Sequence, residues 1–170
     1  WPACFLIPYR RLVINIMKKL LLTLLLFRII PAFAQSDIDR YNVLWTSQSQ
    51  NSSESMPCGS GDIGLNVWVE KGDLFFYIAR SGTFDENNAM LKLGRVRVKL
   101  SPNPFAEGGD FKQQLTLQNG SVSISGKNGQ LAAQVKVWVD VFRPVIHLSV
   151  QSNKAIKTEV GFESWRYKDR

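Results

Sequence analysis

The chain has 170 residues, 45% hydrophobic and 21% charged, a balance that excludes a disordered chain, a collagen-like repeat and a polytopic membrane protein. Its 21 Lys and Arg against 14 Asp and Glu give a formal charge of +7, but five of those cations and none of the acids precede Gln35. The remainder is nearly neutral and its cations are scattered among acids, so no electrostatic footprint for nucleic acid is expected.

Met17-Lys18-Lys19, the apolar run Leu20 to Phe27 and Ala32-Phe33-Ala34 before Gln35 follow the order of a secretory signal peptide: basic, apolar, then small-x-small. Residues 17–34 are read as that signal, residues 1–16 as upstream translation that is not native to the protein, and residues 35–170 as the mature domain. Arg28 interrupts the apolar run, which leaves it short of the roughly 18 residues that span a bilayer. The expected location is periplasmic or extracellular. Cys58 is the single cysteine of the mature part and His147 the single histidine. No nucleophile signature surrounds either, so the thiol is expected in a Gly-rich turn as a structural residue.

Beyond Gln35 the pattern has period two, the mark of strands whose side chains alternate between faces. Ile63, Leu65, Val67 and Val69 share one face. Lys71-Gly72-Asp73 supplies a turn into Leu74–Ala79, which is apolar on both faces and should pair back as a hairpin. In Arg95–Leu100 the residues Val96, Val98 and Leu100 oppose Arg95, Arg97 and Lys99, and the basic row is expected to face solvent. Asn119-Gly120 reads as a two-residue hairpin turn and Asn128-Gly129 as the next turn. Leu131, Ala133, Val135, Val137, Val139 and Val141 then fall on one face of the longest strand. Ile146, Leu148 and Val150 repeat that logic, and Lys157–Glu163 begins one more strand. These segments predict an all-β fold: an antiparallel β-sandwich of eight or nine strands over residues 41–164. The chain ends at Trp165–Arg170 directly after a predicted strand, so the domain is expected to be truncated at its C-terminus.

Tyr41–Ser49, Ser55–Trp68, Asp73–Ile78, Leu91–Val98, Pro102–Phe105 and Glu163–Arg166 resemble, in order, the amino-terminal part of the bacterial domain-of-unknown-function family 5703. That family in turn resembles the amino-terminal β-supersandwich domain of glycoside hydrolases related to family 95, through the Pro-x-Gly-x-Gly-x-x-Gly element formed here by Pro57, Gly59, Gly61 and Gly64. The resemblance implies a secreted module that packs on a following catalytic (α/α)6 barrel of the same chain, with carbohydrate as the ligand of the whole protein. The family 95 Asn-Glu pair and Trp-Ser-Gly are replaced by Ala79–Glu86, so fucosidase specificity does not carry over.

No catalytic residue is assigned within the chain, because glycoside hydrolysis needs two carboxyl groups flanking one bond, whereas Asp85 and Glu86 are chain neighbours and Glu54, Asp62 and Glu163 are dispersed. No cofactor is implied, and no metal-ligand spacing occurs. The loop Arg80–Asn88 is the candidate sugar contact: Arg80, Asp85 and Glu86 offer donors and acceptors beside Phe84. Trp45, Trp68, Trp138 and Trp165 are weighed as stacking platforms, with core packing the commoner fate. A free-standing carbohydrate-binding module and a scaffolding sandwich without a sugar ligand are the alternative readings.

Overall fold

The computed structural model describes residues 13–14, 16–21 and 37–164. The chain divides into two compact units, 1–37 and 38–170. Residues 13–14 and 16–21 of the first unit are helical. Most of the expected signal peptide lies outside the described residues, as does the segment 165–170. Among the described residues, no helix is long and apolar enough to cross a membrane.

The second unit is built from ten strands, one or two more than the periodicity predicts: β1 (Val43–Trp45), β2 (Met56–Ser60), β3 (Ile63–Glu70), β4 (Asp73–Phe84), β5 (Met90–Ser101), β6 (Asp110–Thr116), β7 (Ser121–Asn128), β8 (Leu131–Val139), β9 (Ile146–Ser152) and β10 (Lys157–Glu163). They form two antiparallel five-stranded sheets, ordered β1-β6-β7-β8-β9 (sheet A) and β10-β5-β4-β3-β2 (sheet B). Each sheet is a four-strand meander, with β1 and β10 added at the edges after crossovers between the layers.

The inward rows meet as the alternation requires. Leu65, Val67 and Val69 of β3, Leu74 and Phe76 of β4, and Val98 and Leu100 of β5 pack with Val122 and Ile124 of β7 and Val135, Val137 and Val139 of β8. Buried Gln113 lies between the sheets and donates from Nε2 to the Val67 carbonyl at 3.2 Å, joining them. One end is closed by buried Phe105, packed edge-on against Phe111 at 6.0 Å. Its ring lies on Gly126, where a Cβ would come within 2.4 Å of it. Gln48 pins the β1–β2 connection to that end, donating to the Phe105 carbonyl at 2.6 Å and accepting from the Gly72 N–H at 2.8 Å.

Several turns differ from expectation. The β3–β4 hairpin turns at Lys71 and Gly72, both at positive φ, as predicted. The β6–β7 connection is longer than two residues: a 3-10 turn over Leu117–Asn119 precedes left-handed Gly120, and Thr116 pairs with Ser121. The strand predicted to reach Val141 stops at Val139, because the Asp140 carboxylate accepts the N–H groups of Phe142 and Arg143 and turns the chain away. Val141 is consequently exposed. Cys58 lies in strand β2, paired with Leu65, rather than in a turn; its neighbours already satisfy the Gly-rich turn at Gly61.

Candidate functional site

The Gly-rich element Pro57–Gly64 closes on itself. Gly61, at φ +58°, and Asp62 form the two-residue turn between Ser60 and Ile63. That turn makes Gly59 and Gly64 direct cross-strand partners, and the β3–β4 register adds Ala79 beside Gly64. Three neighbouring positions on the outer face of sheet B therefore carry almost no side chain. Pro57, Asn66 and Tyr77 occupy the next cross-strand row on the same face. The result is a shallow trough of ≈ 420 Å³, floored by Gly59, Gly64 and Ala79 and walled by Pro57, Asn66 and Tyr77. A Cβ at Gly59 would come within 2.5 Å of the Ile63 carbonyl oxygen, so that position must remain Gly, whereas a Cβ at Gly64 would meet nothing within 4 Å.

Tyr77 joins the trough to an aromatic patch. Its ring lies 4.9 Å from Trp68, which stacks on Phe75 at 5.3 Å. Trp68 points away from the sandwich core yet is 1% exposed. The Arg95 and Arg97 guanidinium carbons sit 4.7 and 5.3 Å from the Phe75 ring centre, within cation–π range. Both arginines are held by carboxylates as well: Arg95 donates from Nε and Nη2 to Glu163, and Arg97 does the same to Asp73. Of the outward basic row expected from the sequence, Lys99 is exposed as predicted, whereas Arg95 and Arg97 are half-covered and charge-matched, which leaves these arginines poor receptors for an anionic ligand.

The candidate loop residues do not assemble into one site. β4 continues as strand to Phe84, so Arg80 is a strand residue, and its Nε donates to Asp62 Oδ2 at 2.8 Å. That bond, with the guanidinium charge, holds the Asp62 carboxyl below its ordinary range. Asp85 is spent on the turn: its Oδ1 accepts the N–H groups of Asn87 and Ala89, each at 2.9 Å, an Asx arrangement. Positive φ at Asn88 completes that turn. Glu86 stands exposed at its tip.

Burial pushes the Cys58 thiol up to about 11, which keeps it protonated and unreactive at neutral pH. His147 lies elsewhere, on the outer face of sheet A. It is the cross-strand partner of Trp138, with the rings 4.9 Å apart and nearly parallel at 8°. Lys136 Nζ lies 5.6 Å from the Trp138 ring centre, and Asp140 Oδ2 is 3.5 Å from His147 Nε2. Trp45 is half-buried against the core, and Trp165 lies outside the described residues. Among the described residues, no three His, Cys, Asp or Glu side chains cluster as a metal site would require.

Sequence reasoning noticed the glycine spacing but missed Asn66, Tyr77 and Ala79, which reach the trough only through strand register. The signal was nonetheless present: a two-residue turn at 61–62 forces residues 59 and 64 to face each other. No match emerges from comparison with curated proteins. A family model does match residues 44–170, a span that holds the whole trough and all ten strands but the first residue of β1, so the chain belongs to the DUF5703_N family, a domain of unknown function (DUF5703).

Proposed function

We propose that this chain is the non-catalytic β-sandwich module of an exported bacterial glycoside-hydrolase-like protein, carried beside a catalytic (α/α)6 barrel, and that the trough on the outer face of sheet B is its contact with carbohydrate. The observation that supports this reading is the trough itself. A sugar ring needs a groove with an apolar wall and a few amide or hydroxyl groups, and Gly59, Gly64 and Ala79 supply the space while Tyr77 and Asn66 supply the wall and the amide. The carboxylates support a module without chemistry of its own. Asp62, Asp73, Asp140 and Glu163 are each neutralised by an arginine, Asp73 and Glu163 sharing Arg97, and none of them lines the trough, whereas hydrolysis requires two acids about 5–9.5 Å apart across one cleft. Glu86, at the exposed tip of the β4–β5 hairpin, is the one of the three loop candidates without an ion pair or hydrogen bond among the described residues.

A second reading, a free-standing carbohydrate-binding module that uses sheet A, is favoured by the parallel Trp138 and His147 rings with Lys136 beside them. Affinity electrophoresis of the chain through gels containing soluble polysaccharides separates the two. Gly64→Leu fills the trough without a backbone clash, and it should abolish retardation while leaving the melting temperature within a few degrees. Trp138→Ala should leave retardation intact. The reverse pattern would transfer the function to sheet A, and wild-type mobility unchanged by every polysaccharide would reject sugar binding by the module.

A further inference from the structure

The segment between β1 and β2 crosses from sheet A to sheet B and encloses a cavity of ≈ 450 Å³ between the β1 edge of one sheet and the β2 edge of the other, on the side of sheet B opposite β10. Trp45 forms its inner wall. Pairing with buried Gln113 turns the indole toward the core, against which it packs while remaining half-buried. Ser47, Ser53, Glu54 and Ser55 line the rest together with Gln48 and Ser49. The frame is fixed in advance. The Gln48 amide is bonded at both ends, to the Phe105 carbonyl and the Gly72 N–H. Buried Ser49 donates its N–H to the Val69 carbonyl at 2.9 Å and its hydroxyl to the Glu54 carbonyl at 2.7 Å. Glu54 Oε2 accepts the Gln50 N–H at 2.6 Å. Among the described residues, no side-chain hydrogen bond or ion pair engages Glu54 Oε1 or the hydroxyls of Ser47 and Ser55. Anchored walls with unspent polar groups suit a small ligand, because little ordering remains to oppose binding.

We propose that this cavity binds a protonated amino sugar, independently of the trough on sheet B. Glu54 is the one charged residue of the lining, so the cavity favours a ligand with a single positive charge and repels an anion. The Trp45 ring offers a flat apolar face to a pyranose and an electron-rich one to its ammonium group. Hydroxyls of Ser47 and Ser55 both donate and accept, which suits the ring hydroxyls of a sugar better than a plain aliphatic amine. Acetylation of the amine removes the charge that Glu54 would meet. The trough differs on this point, because its lining carries no charged residue. The two concavities therefore divide ligands by charge, neutral sugar to the trough and amino sugar to the β1–β2 cavity.

NMR chemical-shift titration of the 170-residue chain with a β-1,4-linked glucosamine trimer and with its fully N-acetylated counterpart, in mildly acidic buffer of low ionic strength, tests the proposal. The glucosamine trimer should bind with a dissociation constant on the order of 1 mM, at least about tenfold more tightly than the acetylated trimer. Added salt should narrow that difference by screening the exposed charge pair. Both trimers are compared on the unaltered chain, so this result does not depend on any variant folding. Glu54→Gln keeps an acceptor for the Gln50 N–H and removes only the charge; it should weaken the glucosamine trimer at least about tenfold with the melting temperature unchanged. Gly64→Leu, which fills the trough, should leave that affinity as it is, so failure of the trough as a sugar contact would not be mistaken for failure of this site. Equal affinity for the two trimers, no binding of either, indifference to Glu54→Gln, or loss of binding in Gly64→Leu would each overturn the proposal.

Discussion

Strands β8 and β10 carry the same kind of message in sequence and meet opposite fates. Both alternate apolar with polar residues, and both direct the apolar row toward the space between the sheets. Val135 and Val137 of β8 are wholly buried, whereas Val160 and Phe162 of β10 are largely open. The difference is position. β8 has β7 on one side and β9 on the other and faces the packed interior of sheet B, while β10 is an edge strand beyond the reach of the opposing sheet's side chains. Alternation states which face of a strand is apolar, and neighbours decide whether that face leaves water.

The sharpest way to break this comparison is to place the same charge on both strands. Val137→Asp buries a carboxylate without a partner, a cost of several kcal/mol against a total stability of about 5–15, so the variant should fail to fold by circular dichroism. Val160→Asp should melt within a few degrees of the wild type. Similar losses for both would mean that the edge row is packed after all. The next largest effect is expected on the outer face of sheet B, where Trp68 is buried against Phe75 and Tyr77. Trp68→Ala should cost about 3–5 kcal/mol in denaturant titration, a core-like penalty at a position the alternation assigns to the outside. A loss below about 1 kcal/mol would show that this face contributes little.

The smallest effect concerns the turn that ends β8. N–H groups of Phe142 and Arg143 and the Arg143 guanidinium hold the Asp140 carboxyl at about 2, below the ordinary 3.8. A carboxyl depressed in the folded state contributes stability that is fully present above its unfolded value and is lost as pH falls through its folded value. The wild type should therefore melt slightly above Asp140→Asn at neutral pH, and the gap should begin to close below about pH 4 and vanish toward pH 2. A gap constant over that range would assign the effect to shape rather than charge.

Much of the architecture was legible because period two is a local property. The inward rows of β3, β5 and β8, the β3–β4 hairpin at Lys71-Gly72 and the bounds of β10 all follow from residues within a few positions of each other. Local signals also misled where other groups intervened: the Asp140 carboxylate cut β8 short of Val141, and pairing with β5 carried β4 past Arg80 to Phe84, which faces Met90. The candidate loop shrank accordingly, and Arg80 found its partner in Asp62, 18 positions earlier in the chain.

The sequence by itself determined the fold class, the apolar faces of β3, β5, β8 and β9 and the glycines of the trough, because steric permission and side-chain alternation act between neighbours along the chain. Only the tertiary structure decided that Ala79 and Tyr77 complete the trough, that Trp68 is buried on an outer face, that Arg95 and Arg97 lie on Phe75, and that the apolar row of β10 stays open. Each of these depends on which strand lies beside which and on what the opposing sheet covers, and such long-range pairing leaves no period for a single chain to display.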